Sequence, residues 1–147
     1  MTVHAPLLRR VLVTNDDGID APGLAVAVEV AQAIAEEVWV SAPHGDCSGT
    51  SRQVSLHQPL RVIERDARTI AVTGSPADSI IVGLRHLMAD TPPDLVISGI
   101  NAGANHAKEV GYSGTVGAAI TARIMGFKAV ALSQFWISRE NLPWDTS

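Results

Sequence analysis

Residues 10–18 read RVLVTNDDG, and this stretch decides the fold class. Its apolar, β-branched first half predicts a buried strand over 10–14, and the polar residues 15–18 predict the loop that follows it. Pro22 suits the first turn of a helix. Apolar residues then recur at helical spacing on one face, at Leu24, Ala27, Val28, Ala31, Ile34, Ala35 and Val38. Residues 38–43, VWVSAP, predict a second strand that ends at a proline.

The rest of the chain continues this alternation of strands and helices. Partial alternation over 53–64 and 68–73 predicts β-structure beside the main sheet, and helical spacing predicts a helix over 76–88. Further strands are predicted over 94–98 and 128–133. The helix between them has Val116, Ala119, Ile120 and Ile124 as its apolar face and Gly126 as its cap. The pattern predicts a three-layer α/β fold with a mainly parallel sheet. We expect one domain over 1–147, with its core in 10–133 and no element assigned to 134–147.

Composition excludes several functional classes. The chain has 147 residues with 11 basic and 15 acidic side chains, a net charge of −4, so it lacks the basic surface that binds a nucleic-acid duplex. Cys47 is the only cysteine, which excludes an internal disulfide and fits a reducing compartment. No apolar run approaches the roughly 20 residues needed to span a membrane, and the N-terminus lacks a signal-peptide core. We therefore expect a cytoplasmic protein.

Three polar loops, 15–18, 44–51 and 99–105, follow predicted strands. Ligands of such folds bind beyond the carboxyl ends of the strands, so topology predicts that these loops converge. Adjacent Asp16 and Asp17 repel each other unless a cation compensates. Ser48 and Asn101 can add neutral oxygens, a ligand set that suits Mg²⁺, Mn²⁺ or Ca²⁺. The alternative is that Asn-Asp-Asp-Gly is only a turn leading into a helix.

Ser113, Gly114 and Thr115 precede a predicted helix, whose exposed N–H groups and dipole attract phosphate. The alternative is an ordinary Ser or Thr N-cap. A second Ser-Gly-Thr at 48–50 and the neighbouring metal site favour phosphate binding. Metal and phosphate together predict metal-assisted hydrolysis, with Asp16 or Asp17 orienting or deprotonating the attacking water.

Other chemistries lack their motifs. GxGxxG does not follow the first strand, and the sequence contains neither GxxxxGK[ST] nor GxSxG around Ser48 or Ser113. Cys47 has no identified base to make it a nucleophile. His44 and His106 lie in candidate loops, where solvated side chains are the ordinary interpretation. A response-regulator domain would require a phosphoacceptor aspartate where this chain has Asn101.

Six blocks resemble the SurE (survival protein E) family of metal-dependent 5′-nucleotidases and phosphatases. They run in the family's order between about residues 11 and 133 and read LVTNDDGIDAPG at 12–23, VWVSAP at 38–43, SLHQPLRV at 55–62, GSPADS at 74–79, DLVISGINAGAN at 94–105 and YSGTVGAA at 112–119. The resemblance implies a Rossmann-like domain and hydrolysis of nucleoside 5′-monophosphates with Mg²⁺ or Mn²⁺. It also implies a cytoplasmic homodimer or higher oligomer. The implied metal ligands are Asp16, Asp17, Ser48 and Asn101, and the implied phosphate site comprises Gly49, Asn105, Ser113, Gly114 and Thr115.

The chain also departs from the family. Residues 44–49 read HGDCSG where the family has PDRNRSG, and 106–109 read HAKE where it has LGDD. Family members are also longer, with a C-terminal half that builds the dimer and encloses part of the site. Two hypotheses follow: an active metallophosphatase, or a truncated or degenerate relative that binds metal or nucleotide without turnover. An uncovered sheet edge would favour association in either case.

Overall fold

A computed structural model describes residues 5–135 and residue 144. Strand β1 (Leu8–Thr14) leads to helix α1 (Pro22–Ile34), which passes into β2 (Ala35–Pro43). After a long loop come β3 (Val62–Asp66), β4 (Thr69–Val72) and helix α2 (Pro76–Val82), extended by a π-helical turn (Gly83–Leu87). Strand β5 (Leu95–Ala102), a 3₁₀ turn (Ala107–Gly111), helix α3 (Gly114–Ile124) and β6 (Ala129–Gln134) follow.

Within residues 5–135 the strands form one six-stranded sheet in the order β3-β4-β2-β1-β5-β6. All neighbouring pairs are parallel except β3 and β4, which form an antiparallel hairpin at one edge. The α/β class and the mainly parallel sheet are therefore confirmed. No helix in the described part of the chain is long and apolar enough to cross a membrane. The prediction of a single domain over 1–147 stays a prediction, since most of 134–147 lies outside the described residues.

Alternate side chains of β1 face opposite sides of the sheet and enter two separate cores. Val11 and Val13 pack with Leu24 and other small apolar residues of α1 on one face. Leu12 packs on the other face with Ile80 of α2 and with Ala118 and Ala122 of α3. The sheet is thus covered on both sides, as the three-layer prediction requires.

The boundary between α1 and β2 differs from the predicted one. The helix ends at Ile34, and Ala35 is already extended, with φ −130° and ψ 151°. Leu8 of β1 lies opposite Ala35, and Arg10 lies opposite Glu37 with a salt bridge of 3.0 Å. Pairing with β1 therefore overrides the helical spacing that had assigned Ala35 and Val38 to the helix.

Two further predictions about local structure were wrong. Ile120 and Ile124 of α3 are exposed, Ile124 by 72%, and the helix instead buries small residues such as Gly117, Ala118 and Ala122. Small side chains let the helix approach the rest of the fold closely. Residues 53–61 contain no strand, and Ser55 N donates to Asp78 of α2 rather than to a neighbouring strand.

Asp78 is a buried carboxylate that anchors the long loop to the start of α2. Its Oδ1 accepts from Ser55 N at 2.9 Å, and its Oδ2 accepts from Ser55 Oγ at 2.8 Å and from Ser75 N at 2.9 Å. Ser75 in turn caps the helix by accepting from Asp78 N. One side chain thus satisfies donors from two segments.

We expect Asp78→Ala to lower the free energy of unfolding by about 2 kcal/mol, because it leaves buried donors without acceptors and breaks a capping box. Urea denaturation followed by circular dichroism measures the loss. Asp90→Ala removes an exposed carboxylate and should cost less than about 0.5 kcal/mol. Equal, small losses in the two variants would show that Asp78 does not anchor the loop.

Candidate metal and phosphate site

Asp16 lies directly beyond β1 and is only 3% exposed. Its Oδ1 accepts a hydrogen bond of 2.7 Å from Thr115 Oγ1, and its main-chain oxygen accepts one of 2.7 Å from Cys47 N. These two bonds connect the end of β1 with helix α3 and with the loop after β2. Asp16 is therefore the point at which three segments of the site meet.

The burial of Asp16 is electrostatically costly. The pKa of its carboxyl is raised from 3.8 to about 6, chiefly by burial; the Thr115 hydrogen bond lowers this pKa, and the negative charges of Asp17 and Asp46 help to raise it. This rise in the pKa means that ionising the carboxyl in the folded protein costs about 3 kcal/mol more than in water. The ionised carboxylate therefore lacks adequate positive compensation from the chain itself.

Asp17 is half-buried and points to the end of β5. Its Oδ2 accepts a hydrogen bond of 2.9 Å from Ala102 N, which ties the first loop to the third. Asn15 Nδ2 donates to the Gly18 carbonyl at 2.7 Å, and Gly18 has a φ of +107°. The turn that was the alternative explanation of Asn-Asp-Asp-Gly is thus present, and it presents both carboxylates at the sheet edge.

Ser48 and Asn101 bring neutral oxygens from the loop after β2 and from the end of β5. Ser48 donates from its Oγ to Asp46 Oδ1 at 2.6 Å, which leaves the lone pairs of that hydroxyl as acceptors. Asn101 donates from Nδ2 to the Gly103 carbonyl at 2.8 Å, which fixes which end of the amide carries its oxygen. Asn101 lies in β5 rather than in a loop, because it pairs with Ser133 of β6.

The start of α3 packs against Asp16. Ser113 caps the helix by accepting from Val116 N at 3.2 Å, so the N-cap interpretation is correct as local structure. A Cβ on Gly114 would lie 2.8 Å from the Asp16 Cβ, so only glycine allows this approach. Thr115 is fully buried, and its hydroxyl donates a hydrogen bond to Asp16.

A cleft of about 610 Å³ opens over these elements. Six of the residues predicted for the site line it: Asp16, Ser48, Gly49, Asn101, Asn105 and Ser113. Asp17, Gly114 and Thr115 are not among its lining residues, but each contacts a residue that is, namely Ala102 for Asp17 and Asp16 for the other two. The structure therefore brings together side chains from all three loops and from the start of α3, as the topology predicted.

Sequence reasoning missed other residues of this cleft. Asp46 is not a lining residue, but its Oδ1 accepts from both the hydroxyl and the backbone N–H of Ser48, a local turn that the Asp-Cys-Ser order could have indicated. His106, expected to be merely solvated, stacks on Phe135 with ring centroids 6.2 Å apart. Tyr112 and Glu109 also line the cleft. The tertiary pairing of β5 with β6 produces this arrangement, and no local pattern indicated it.

Cys47 does not have the surroundings of a nucleophile. Burial raises the pKa of its thiol, and the charges of Asp46, Asp16 and Asp78 raise it further. Its Sγ lies 3.5 Å from the Gly74 carbonyl oxygen, to which it donates. A reactive cysteine needs the opposite shift. Among residues 5–135 and 144, no three His, Cys, Asp or Glu side chains cluster as a metal site.

Comparison with known proteins identifies the family. Residues 11–146 match the family model described as Survival protein SurE. The chain is 53% identical over 142 residues to 5′-nucleotidase SurE 1 of Burkholderia lata, covering 97% of this chain and 55% of that protein. It is 50% identical over 140 residues to 5′-nucleotidase SurE of Bradyrhizobium diazoefficiens, covering 94% and 55%.

Comparison with solved structures agrees with the sequence comparisons. The crystal structure of the SurE protein from Aquifex aeolicus superposes with a TM-score of 0.85 at 36% identity, covering 92% of this chain and 54% of the other. This chain thus spans about half the length of the curated relatives it matches. Agreement in fold, motif order and overall identity gives one conclusion: the chain belongs to the survival protein SurE family.

Proposed function

We propose that this protein hydrolyses nucleoside 5′-monophosphates to a nucleoside and inorganic phosphate, with a divalent cation, Mg²⁺ or Mn²⁺, held by Asp16, Asp17, Ser48 and Asn101. The observation that carries the proposal is the buried Asp16 carboxylate, which lines the cleft and has the negative charge of Asp17 adjacent to it. The relatives named 5′-nucleotidase support the choice of reaction.

The residues present fit such a cation. Two adjacent carboxylates without adequate compensation supply negative charge, and a cation would remove the cost of ionising Asp16. The Asn101 amide is already oriented by its bond to Gly103, and the Ser48 hydroxyl is oriented by Asp46. A set made only of oxygens is the set that hard cations prefer.

The phosphate group would sit against Gly49, Asn105 and the start of α3. Gly49 has a φ of +74° and open space where a Cβ would be, so its backbone can approach a phosphoryl oxygen. Ser113 begins an eleven-residue helix whose N-terminal N–H groups favour an anion. Asn105 donates to Ser133 Oγ at 2.6 Å, which holds its side chain at the cleft wall. Gly114 and Thr115 contribute by seating the helix on Asp16.

The chemistry needs one water and one proton carrier. A cation bound at this site supplies polarisation of the phosphoryl oxygens and a more acidic water. Asp16 or Asp17 orients the attacking water and accepts its proton as the water oxygen attacks phosphorus. The phosphorus–oxygen ester bond breaks, and the leaving 5′-oxygen takes up the proton that the aspartate accepted. Helix α3 and Gly49 hold the departing phosphate.

The test is phosphate release from a panel of nucleoside 5′- and 3′-monophosphates with Mn²⁺, Mg²⁺ or EDTA. We expect release only with metal, and a loss of roughly 100-fold or more in Asp17→Ala, because one carboxylate and the tie to Ala102 disappear together. The metal should also raise the melting temperature of the parent. Pure folded protein without metal-dependent release from any nucleotide would refute the enzyme and favour a binding protein without turnover.

Two broader predictions belong to this proposal. Strand β6 pairs only with β5 within the described residues and forms a sheet edge, which supports association into a homodimer or higher oligomer. A cytoplasmic location remains the expectation drawn from the sequence.

A further inference from the structure

The cleft has an aromatic wall that the phosphate chemistry does not use. The rings of His106 and Phe135 are stacked, with centroids 6.2 Å apart and planes inclined by 13°. Tyr112, which directly precedes Ser113 in the sequence, lines the same cleft. Phe135 is 68% exposed and Tyr112 is 71% exposed. The chain contains one tyrosine and two phenylalanines, so two of these three side chains lie open at this cleft.

The sheet positions this wall beside the phosphate site. Asn101 and Ala102 of β5 lie opposite Ser133 and Gln134 of β6. The chain leaving β5 then carries His106, and the residue directly after β6 is Phe135. The bond from Asn105 Nδ2 to Ser133 Oγ joins the two segments just before the rings. The stacked pair is therefore held by strand register and a side-chain tie.

The dimensions of the cleft leave room for more than a phosphate group. Its volume of about 610 Å³ lies within the range of roughly 300–1,000 Å³ usual for sites of complete small ligands. Its lining includes Asp16, Gly49 and Ser113 of the proposed phosphate site and, in addition, Glu109 and the aromatic wall. A ligand with an anionic end and a planar end matches both sets of residues.

We propose that His106, Phe135 and Tyr112 form a stacking platform for the nucleobase of the substrate. This inference rests on the proposed function and names the part of the substrate that lies away from the reacting phosphate. An exposed aromatic face accepts any base, because every base has a π-face, so the platform favours nucleotides over sugar phosphates without selecting one base. Purines, with the larger ring area, should bind more tightly than pyrimidines.

The test compares adenosine 5′-monophosphate with ribose 5-phosphate, which lacks the base. We expect Phe135→Ala to raise KM for the nucleotide about tenfold and to change kcat/KM for ribose 5-phosphate less than twofold. Phe135→Trp should restore the nucleotide KM, because it restores a flat ring. Ile124→Ala truncates an equally exposed side chain outside the cleft, so it should change the kinetic constants for neither substrate. Equal losses on both substrates in Phe135→Ala, or an unchanged nucleotide KM, would overturn the platform.

Binding without turnover provides an independent readout. Tyr112 is the only tyrosine, so in protein labelled selectively at tyrosine the ring resonances belong to Tyr112 alone. Adenosine 5′-monophosphate added to the protein in EDTA should shift these resonances, and ribose 5-phosphate should not. If the parent hydrolyses neither substrate, the proposed function fails, and the NMR result alone then decides the platform: a nucleotide-specific shift supports it, and no shift overturns it.

Discussion

Asp16→Asn is expected to lower phosphate release by roughly 1,000-fold or more while making the metal-free protein more stable at neutral pH. The neutral amide can still accept the Thr115 hydrogen bond through Oδ1, so the local fold is retained. It turns an NH₂ group toward the place where the proposed cation needs an anionic oxygen. The expected result is thus a folded protein that has lost its activity and the rise in melting temperature with Mn²⁺.

The stability of this variant follows from the pKa of Asp16. The folded value of about 6 lies above the ordinary value of 3.8, so ionisation favours the unfolded state. The penalty is absent below about pH 4, grows between pH 4 and 6, and is complete at pH 7.5. In EDTA at pH 7.5 we expect the free energy of unfolding of Asp16→Asn to exceed that of the parent by up to about 3 kcal/mol. At pH 4 we expect the two free energies to be the same.

Denaturant titrations at the two pH values measure this difference. Asp90→Asn removes the same charge from an exposed position and should change neither activity nor stability. If Asp16→Asn is less stable than the parent at pH 7.5, the buried charge is not the dominant cost. If it retains activity with Mn²⁺, Asp16 is not a ligand of the reacting centre.

Gly117→Ala is expected to destabilise the protein by roughly 3 kcal/mol or more and to impair the site as a consequence. A Cβ on Gly117 would lie 2.1 Å from the Ser51 carbonyl oxygen, a distance at which either α3 or the loop must move. Ser51 is fixed to the segment just before α3, because its N donates to the Tyr112 carbonyl at 3.2 Å and its Oγ donates to the Gly111 carbonyl at 2.9 Å. The contact is between backbone segments, so a change of rotamer cannot relieve it.

The same loop carries Ser48 and Gly49, so displacing it should also weaken metal and phosphate binding. Thermal unfolding and phosphate release measure the two effects. Gly111→Ala is the matched control: it adds the same methyl group beside the cleft, where nothing lies within 4 Å. It should leave melting temperature and activity near those of the parent. A Gly117→Ala protein as stable as Gly111→Ala would show that loop and helix adjust without cost.

Much of the fold was predictable because the signals are local and repeated. The run before Asn15 is apolar and β-branched, and such a run followed by a polar loop has few other interpretations. Parallel topology then required the three polar loops to share one edge. Prediction failed where partners distant in sequence decided the outcome. Ala35 extends because it pairs with β1, and Ile124 is exposed because α3 packs through its small residues.

The candidate site, like the fold, was predictable from the sequence only in part. From the sequence alone came the residue types, the order of the loops and the expectation that Asp16, Ser48, Asn101 and Ser113 meet. Only the tertiary structure decided that Thr115 turns its hydroxyl to Asp16, and that His106 reaches Phe135. The physical reason is that residue type and spacing determine what a segment can form. Burial, register and close approach depend on segments many residues away, which no local pattern contains.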